Sequence, residues 1–445
     1  MTRLLLRLPA LACVHYLPST AAADDFNLER MNNWHQWRGP LATGVAPHGE
    51  PPIKWDEKTN IKWKSEIPGL GSSTPIVWGD QVFVSSAIKT DRKAENPPQA
   101  DERAKTAPEG ILYQFVVMSF DRATGNLRWK DVACEAVPHE GRHATNTYAS
   151  ASPTTDGRRL YVSFGSRGIY CYDLAGKFLW KRELGKMRTR YGWGEAISPV
   201  VHRDSLIVNW DHEDESFIVV LDAHTGETQW RAARDEPTSW ATPLVVSHGG
   251  RDQVIVNATN RVRGYDLATG DVLWQCGGQT TNVIASPVAF GGVVYCMSNY
   301  GENAAYAIPL DASGDLTGSD RVIWTHRRGT PYVPSPLLLD DRIYFLRSNS
   351  NILSCLDTKT GRPLMDQTRL PELKNIYASP TAAAGRIYFV DRDGMTIVLN
   401  AAGSGGGLEV LGRNKLDESI DASPTIVGRE LFLRGRGFLY CISEK

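Results

Sequence analysis

Short runs of alternating apolar and polar residues, separated by turn residues, fill the chain from residue 60 to its end. Residues 286–324 show the arrangement: a strand follows Pro287, a Gly-Gly pair makes a turn, and an apolar strand returns over residues 293–297. A third strand is predicted near residues 304–308, and a fourth ends at Trp324. Strands of this length with period-two alternation predict an antiparallel sheet of four strands.

A hydroxyl residue followed by proline opens each of these units. Proline can occupy the first position of an inner strand because its missing N–H is not needed there. Successive prolines are 78, 46, 44, 44, 49, 44 and 44 residues apart, and a period in the forties is typical of β-propellers. The sequence therefore predicts an all-β fold, an eight-bladed β-propeller of four-stranded blades. The eight prolines are Pro75, Pro153, Pro199, Pro243, Pro287, Pro336, Pro380 and Pro424.

The first and last strands of the chain complete each other. Residues 60–67 alternate like an outermost strand but have no blade of their own nearby. Residues 422–427, 430–434 and 437–443 supply three strands without a fourth. Because pairing them removes two exposed sheet edges, we predict that the N-terminal strand joins the C-terminal blade and closes the ring.

A second repeated phrase, Asp-x-x-Thr-Gly-x-x-x-Trp, lies at the turn before the outermost strand, as in residues 121–129, 222–230 and 266–274. Asp begins the turn, Gly takes a positive φ, and the tryptophan inserts between blades. These tryptophans are therefore predicted to be structural. The docking residues are Trp63, Trp129, Trp180, Trp230, Trp274 and Trp324.

This phrase resembles the tryptophan-docking motif of the quinoprotein alcohol dehydrogenase-like propellers, the PQQ-like repeat family. That family includes pyrroloquinoline-quinone (PQQ) dehydrogenases and the BamB-like propellers of outer-membrane protein assembly. For a dehydrogenase, the resemblance implies a tryptophan platform, calcium held by Glu and Asn, a catalytic Asp and often an adjacent cysteine pair. The chain has no adjacent cysteines, and no calcium or catalytic position aligns with the motif.

The N-terminus predicts export. Residues 1–23 have basic residues, an apolar stretch and a small-residue cleavage site, as in a signal peptide. Lipidation at Cys13 is an alternative. Residues 24–59 are predicted to form an irregular strap whose tryptophans bury on the blades, and residues 60–445 to form the propeller. Residues 87–111, with mixed charge and prolines, are interpreted as a solvated insertion loop.

Composition argues against two classes of function, nucleic-acid binding and a membrane-spanning role. The formal net charge of −1 argues against nucleic-acid binding, and no apolar stretch is long enough to span a membrane. The six cysteines after residue 23 are expected to be buried thiols rather than disulfides. We expect a monomer that lies in the periplasm, at the outer membrane or outside the cell.

The loops leading into the inner strands, and those between the second and third strands, are predicted to share one face and to form a mouth around the central channel. Aromatic, carboxylate and amide side chains there would suit a planar or sugar-like ligand, although such residues also cap a plugged or water-filled channel. His139, Glu140 and His143 could instead supply a base and its orienting group. The candidate ligand-binding residues are His143, Asn146, Tyr148, Trp193, Glu195, Asp211, Trp240, Arg261, Asn282, Tyr332, Tyr377 and Asp421.

The leading interpretation is an exported, non-catalytic binding or scaffold module of the cell envelope, with an envelope protein or a small ligand as partner and no cofactor. The alternative is a periplasmic quinoprotein oxidoreductase that uses PQQ with calcium on an alcohol or sugar. A third possibility is a glycan-binding or glycan-cleaving propeller. No metal site is predicted, since the acidic residues 211–215 have the pattern of a solvated turn.

Overall fold

A computed structural model describes residues 20–401 and 408–444 and shows eight antiparallel sheets arranged as the blades of one propeller. The predicted all-β, eight-bladed fold is confirmed. Most of the predicted signal peptide, including Cys13, lies outside the described residues. The first described element is helix α1 (Thr20–Glu29), and no described helix is long and apolar enough to cross a membrane.

The first four blades each run outward from the channel in chain order. Blade 1 contains β2 (Ile76–Trp78), β3 (Gln81–Lys93), β4 (Ile111–Asp121) and β5 (Leu127–Ala136). Blade 2 contains β6 (Thr154–Thr155), β7 (Arg159–Ser163), β8 (Ile169–Asp173) and β9 (Phe178–Arg182). Blade 3 contains β10 (Val200–His202), β11 (Ser205–Trp210), β12 (Phe217–Asp222) and β13 (Thr228–Ala233). Blade 4 contains β14 (Leu244–His248), β15 (Arg251–Val256), β16 (Arg261–Asp266) and β17 (Val272–Gly277).

The last four blades repeat this plan. Blade 5 contains β18 (Val288–Phe290), β19 (Val293–Tyr300), β20 (Glu302–Pro309) and β22 (Trp324–His326), while β21 (Gly314–Asp315) joins blade 4. Blade 6 contains β23 (Leu337–Leu339), β24 (Arg342–Leu346), β25 (Ile352–Asp357) and β26 (Pro363–Arg369). Blade 7 contains β27 (Thr381–Ala383), β28 (Arg386–Val390), β29 (Met395–Asn400) and β30 (Val410–Lys415). Blade 8 contains β31 (Thr425–Val427), β32 (Glu430–Arg434), β33 (Phe438–Ile442) and β1 (Ile61–Glu66).

Strand β1 closes the ring as predicted. It pairs antiparallel with β33, from Ile61 opposite Ile442 to Glu66 opposite Phe438. Blade 8 therefore contains both ends of the propeller, and neither β1 nor β33 is left with an unpaired edge at the closure.

The repeated hydroxyl residues form a chain of hydrogen bonds around the channel. The backbone N–H of one blade's hydroxyl residue donates to the serine Oγ of the next blade, for example Ser286 to Ser335 at 2.9 Å. Six such links occur among the described residues. The two threonine positions, Thr74 and Thr242, accept no such bond. The serine Oγ thus satisfies the buried backbone N–H of the hydroxyl residue in the preceding blade. The proline that follows this residue has no N–H of its own.

Five of the six repeated tryptophans dock on the next blade. Trp129, for example, donates from Nε1 to the carbonyl oxygen of Leu174 at 3.0 Å, and a Cβ on Gly176 would lie 2.6 Å from its ring. Gly176 also has a φ of +90°, so both its backbone conformation and the space beside the indole require glycine. The same bonds are made by Trp63, Trp180, Trp230 and Trp324.

Trp274 differs from this prediction. It is buried, but its Nε1 donates to the side chain of Gln253 in its own blade at 3.0 Å. The longer turn of blade 5 forms β21, which pairs in parallel with β17 beside Trp274. The turn that would receive the indole has therefore become a fifth strand of blade 4.

Blade 7 has no docking tryptophan of its own, and the strap supplies an aromatic ring there. Trp55 is buried and stacks on Tyr388 of β28, with ring centroids 6.4 Å apart. In blades 1, 2, 5 and 8 the docking tryptophan contacts the corresponding second-strand aromatic, as Trp324 does with Tyr295 at 5.7 Å. A Cβ on Gly412 would lie 2.2 Å from the carbonyl oxygen of Ile53, so the strap fills this space.

The rest of the strap crosses one end of the channel. The Trp34 N–H donates to Val77 in blade 1, and the Ala46 N–H donates to Ala382 in blade 7. The buried Arg38 donates to the carbonyl oxygens of Pro336 and Pro380 at 2.8 and 2.7 Å. Burial lowers the pKa of Arg38 to about 9, so it remains charged at neutral pH. The strap is thus held by hydrogen bonds across the end of the channel opposite the predicted mouth, and it closes that end.

The insertion is only partly a loop. Strand β3 continues to Lys93, so the irregular segment is confined to residues 94–110, and it packs on the mouth rather than lying free. The Lys105 N–H donates to the carbonyl oxygen of Tyr191 at 2.8 Å, and the Thr106 hydroxyl donates to that of Gly192. Its charged residues lie on the outside, which explains the solvated appearance of the sequence.

The predicted thiol state of the cysteines is confirmed for the described residues. Cys134 and the five buried cysteines are all free. Burial raises the pKa of Cys276 to about 11, so this thiol is neutral and acts as a small apolar residue.

The hydrogen-bonded ring yields a testable difference between serine and threonine positions. Ser335→Ala leaves the buried N–H of Ser286 without an acceptor and is expected to cost about 1–3 kcal/mol of unfolding free energy. Thr242→Val removes a hydroxyl that accepts no such bond and is expected to stay within about 0.5 kcal/mol of wild type. Urea unfolding of both variants measures the difference, and equal losses would contradict the role assigned to the ring.

Candidate central ligand cavity

A cavity of about 490 Å³ lies in the central channel on the mouth side of the strap. Hydroxyl residues that open six of the eight blades line it, and so do aromatic residues from the loops of the mouth. The size and the aromatic lining are those of a small-molecule site. The six hydroxyl residues are Thr74, Ser152, Ser198, Thr242, Ser379 and Ser423.

The lining also includes a tryptophan of the strap. Trp37 lies next to Arg38, which the carbonyl groups of blades 6 and 7 hold in place. The prediction that the strap tryptophans bury on the blades therefore describes Trp34, which is fully buried, but not Trp37, which remains half-buried in the cavity. The strap gives the channel a closed, aromatic end.

Aromatic side chains of the mouth form a connected wall. Trp193 and Trp240 stack with centroids 6.4 Å apart, and Trp193 meets Tyr300 edge-on at the same distance. Tyr300 and Tyr332 follow at 5.3 Å, and Tyr377 also lines the cavity. Trp240 is fixed by an Nε1 bond to the carbonyl oxygen of Gly194 at 2.8 Å. Such a wall offers flat faces for stacking against a ring.

The polar groups of the cavity are engaged with the protein. Asp421, the one carboxylate among the described lining residues, accepts bonds of 2.5 and 3.2 Å from Arg392. Asn146 donates to the carbonyl oxygen of Trp193 at 3.0 Å, and its Oδ1 accepts from Ser150 at 2.7 Å. His143 Nδ1 lies 2.8 Å from the hydroxyl of Thr145. Within the described part of the chain, no arginine or lysine lines the cavity.

Serine hydroxyls provide the remaining hydrogen-bonding capacity. Ser152, Ser198, Ser379 and Ser423 each accept a backbone N–H with Oγ, and no described bond uses their own O–H group. Because a hydroxyl has one donor and two acceptor positions, each can still bond to a polar ligand.

A second, smaller cavity of about 40 Å³ lies beside the first, and Ser150 and Ala196 line both. It contains His139, Glu140 and Glu195. Burial raises the pKa of Glu195 to about 7, and burial together with the nearby Glu195 does the same for Glu140. Burial also lowers the pKa of His139. The three groups tend toward their neutral forms, as desolvated groups do.

The structure brings seven of the twelve predicted mouth residues together in the large cavity. Glu195 and Tyr148 line the small cavity instead. Arg261 pairs with Asp235 at 3.0 Å, and Asn282 is buried with a φ of +57°. The residues in the large cavity are His143, Asn146, Trp193, Trp240, Tyr332, Tyr377 and Asp421.

Asp211 is not part of a solvated turn. It is fully buried and pairs with Arg234, which donates to its two oxygens at 2.6 and 3.1 Å. Ser239 also donates to it at 2.6 Å. The acidic segment 211–215 gives no sign in the sequence of this ion pair, because Arg234 lies 23 residues after Asp211, in a neighbouring loop of blade 3.

Two aromatic residues of the cavity, Trp37 and Tyr300, escaped prediction from sequence. Trp37 was assigned to the strap, and nothing in a linear pattern shows that the strap crosses the channel. Tyr300 ends β19, next to loop positions that the repeat phase places at the mouth, so the phase could have identified it. The repeated hydroxyl residues were interpreted as strand starts, although their position at the channel follows from the same phase.

The large cavity does not match the PQQ and calcium set that the family resemblance implied. Trp193 and Trp240 could serve as a platform. However, the side-chain bonds of Asn146 are used within the mouth, and Glu195 faces Ser166 in the small cavity. Asp421 is paired with Arg392, and the described lining residues include no arginine or lysine for the carboxylates of PQQ. The residues present do not fit this cofactor.

Comparison with known proteins supports the family assignment. The family model described as outer membrane protein assembly factor BamB matches residues 114–364. No curated protein sequence matches the chain.

Solved structures show the same fold at low identity. BamB from Moraxella catarrhalis is 16% identical, with 80% of this chain and 98% of that chain covered and a TM-score of 0.53. A europium-containing methanol dehydrogenase is 11% identical, with 94% and 92% covered and a TM-score of 0.65. The quinohemoprotein alcohol dehydrogenase from Comamonas testosteroni is 11% identical, with 95% and 82% covered and a TM-score of 0.62.

The small cavity predicts a pH dependence of stability. Because the folded pKa values of Glu140 and Glu195 lie above the ordinary value of 4.5, their neutral forms favour folding at low pH. That contribution is lost as the pH rises from about 4.5 through 7. In metal-free buffer, Glu195→Gln is expected to remove on the order of 1–3 kcal/mol of the decrease between pH 5 and 8. Thermal unfolding of both proteins across this range measures it, and parallel curves would contradict it.

Proposed function

Because the chain belongs to the family of the outer membrane protein assembly factor BamB, we propose that it is an exported, non-catalytic binding module of the cell envelope. The observation that carries the proposal is the aromatic cavity of about 490 Å³, which the strap closes at one end. The predicted signal peptide over residues 1–23 supports an envelope location. The binding face is the mouth opposite the strap.

The lining supports an uncharged, ring-shaped polar ligand of the saccharide class. Trp193, Trp240 and Tyr332 provide flat apolar faces, and the free O–H groups of the serine ring provide donors. Asp421 is already paired with Arg392, so among the described lining residues neither an anion nor a cation meets an unpaired opposite charge of an arginine, lysine or carboxylate. A neutral ring with hydroxyl groups can stack on the aromatic faces and form hydrogen bonds with the serine hydroxyls.

The side chains of Asp421 and Asn146 are already hydrogen-bonded within the protein, which supports binding rather than catalysis. A general base or nucleophile needs an available atom that faces the ligand with a matched pKa. Asp421 is held by two bonds from Arg392, and Asn146 is held between Trp193 and Ser150. Glu140 and Glu195, whose pKa values are raised, lie in the small cavity, which is too small for a sugar ring.

The second candidate, a quinoprotein oxidoreductase, is favoured by one specific observation. The stacked Trp193 and Trp240 form a platform on the channel wall. Two observations weigh against it: the described lining residues include no arginine or lysine, and the side chains of Asn146 and Asp421 are already hydrogen-bonded within the protein. The two candidates therefore differ in the charge of the ligand that the cavity accepts.

A ligand screen separates the two candidates. Purified mature protein is titrated with neutral disaccharides and trisaccharides, and binding is followed by tryptophan fluorescence and by calorimetry. Saturable one-to-one binding is expected, and Trp240→Ala is expected to weaken it at least tenfold because a stacking face is lost. Phe290→Ala removes an aromatic side chain that is 49% exposed and absent from the cavity, and it should bind as wild type does.

The same assay is run with PQQ and calcium. One-to-one PQQ binding that Trp240→Ala abolishes, together with no saccharide binding, would overturn the proposal in favour of the oxidoreductase. Binding of neither ligand up to about 1 mM would leave the cavity without the assigned role, since this limit corresponds to only about −4 kcal/mol.

A further inference from the structure

The small cavity between blades 2 and 3 contains three side chains of types that bind metal ions. We propose that His139, Glu140 and Glu195 bind one divalent transition-metal ion of the Zn²⁺ class. One ligand atom from each of these residues lies within 4.8 Å of those of the other two. This inference is independent of the proposed ligand in the central cavity, and it revises the expectation from sequence that no metal site is present.

The donor set has the composition of a mixed nitrogen and oxygen zinc site. Imidazole and carboxylate ligands occur together in zinc sites that keep a position open for water, and imidazole suits Zn²⁺ better than Mg²⁺ or Ca²⁺. His139 Nε2 lies 3.7 Å from Oε1 of Glu195 and 2.7 Å from the carbonyl oxygen of Met187, which it faces as a donor. A metal ion would replace this hydrogen bond. Ligands of a tetrahedral zinc ion lie roughly 3.3–3.6 Å apart, as follows from metal–ligand distances of about 2.0–2.2 Å. Small side-chain rotations would therefore assemble the site.

Both carboxylates are oriented by donors, as metal-binding carboxylates usually are. Ser166 donates to Glu195 from its backbone N–H at 2.7 Å and from its hydroxyl. Thr189 donates to Glu140 from its backbone N–H at 3.0 Å and from its hydroxyl at 2.8 Å. Since each carboxylate oxygen has two lone pairs, these bonds leave positions for a metal ion.

An unsatisfied acceptor in the same cavity points separately to a missing ligand. Asn209 is fully buried and lines the cavity, and its Oδ1 has no hydrogen-bond partner. A buried carbonyl-type oxygen without a donor is costly, whereas a metal ion or a metal-bound water would satisfy it. The volume of about 40 Å³ is enough for an ion with a water and too small for an organic ligand.

The surrounding charges do not compensate the glutamates fully. Arg167 lines the cavity, but its Nε and Nη2 make no hydrogen bond, and Lys186 is a second cation that acts on His139. Both glutamates accordingly have a raised pKa, so an ion would have to displace their protons. Loops that lead into blades 2 and 3 would then be joined through the ion behind the wall of the central cavity.

Zinc binding is tested on chelator-treated mature protein by calorimetry, with Zn²⁺ alone as the probe and Mg²⁺ and Ca²⁺ as comparators. One Zn²⁺ per chain is expected, with release of protons that increases as the pH falls from 8 to 6. Glu195→Gln and His139→Gln are each expected to lower the affinity at least tenfold. Zinc should also raise the melting temperature of the wild type, most strongly above pH 7.

The control changes a histidine that has a carboxylate neighbour elsewhere. His224 lies on the surface, with Nε2 2.7 Å from Asp204, and His224→Gln should leave zinc affinity unchanged. Absence of stoichiometric zinc binding, unchanged affinity in Glu195→Gln, or loss of affinity in His224→Gln would overturn the proposal. X-ray absorption of the zinc-loaded wild type gives a test that needs no variant. One histidine and otherwise oxygen ligands are expected, and a shell without histidine would refute the site.

Discussion

The pairing of β1 with β33 closes the ring of blades, and the position of every other feature depends on that closure. A blade alone has two apolar faces and cannot bury either, so each needs a neighbour on both sides. An open row of eight blades would leave two such faces and two strand edges exposed. The antiparallel bonds from Ile61 to Glu66 join the first strand to the last blade and turn the row into a closed core.

Two repeated devices then join the blades, one at the channel and one at the rim. At the channel, serine hydroxyls accept the N–H of the preceding blade, as between Ser286 and Ser335. At the rim, an indole donates to the next blade over a glycine that leaves room for it, as between Trp129 and Gly176. Each device is encoded by a short repeated motif, but its hydrogen bonds form only between residues of two adjacent blades. Where the rim device is missing in blade 7, Trp55 of the strap stacks on Tyr388.

The strap also decides what the channel can do. By crossing one end, it converts an open pore into a closed cavity and adds Trp37 to the aromatic lining. At the other end, the inserted segment of blade 1 bonds to Tyr191 and Gly192, next to Trp193. The two segments that the sequence pattern leaves outside the repeat therefore shape the two opposite ends of the central cavity.

The sequence by itself determined the number of blades, the closure and the docking role of most tryptophans, because each depends on a period that repeats along the chain. It also placed His143, Trp193, Trp240 and Asp421 at the mouth, since loop positions follow from the blade phase. Only the tertiary structure decided which polar residues are available. The partners of Asp211 and Asp421 are 23 and 29 residues away, and a hydrogen bond or a desolvated carboxyl depends on distances across loops that no period specifies. For the same reason the convergence of His139 and Glu140 with Glu195, from loops of different blades, was visible only once the blades were in place.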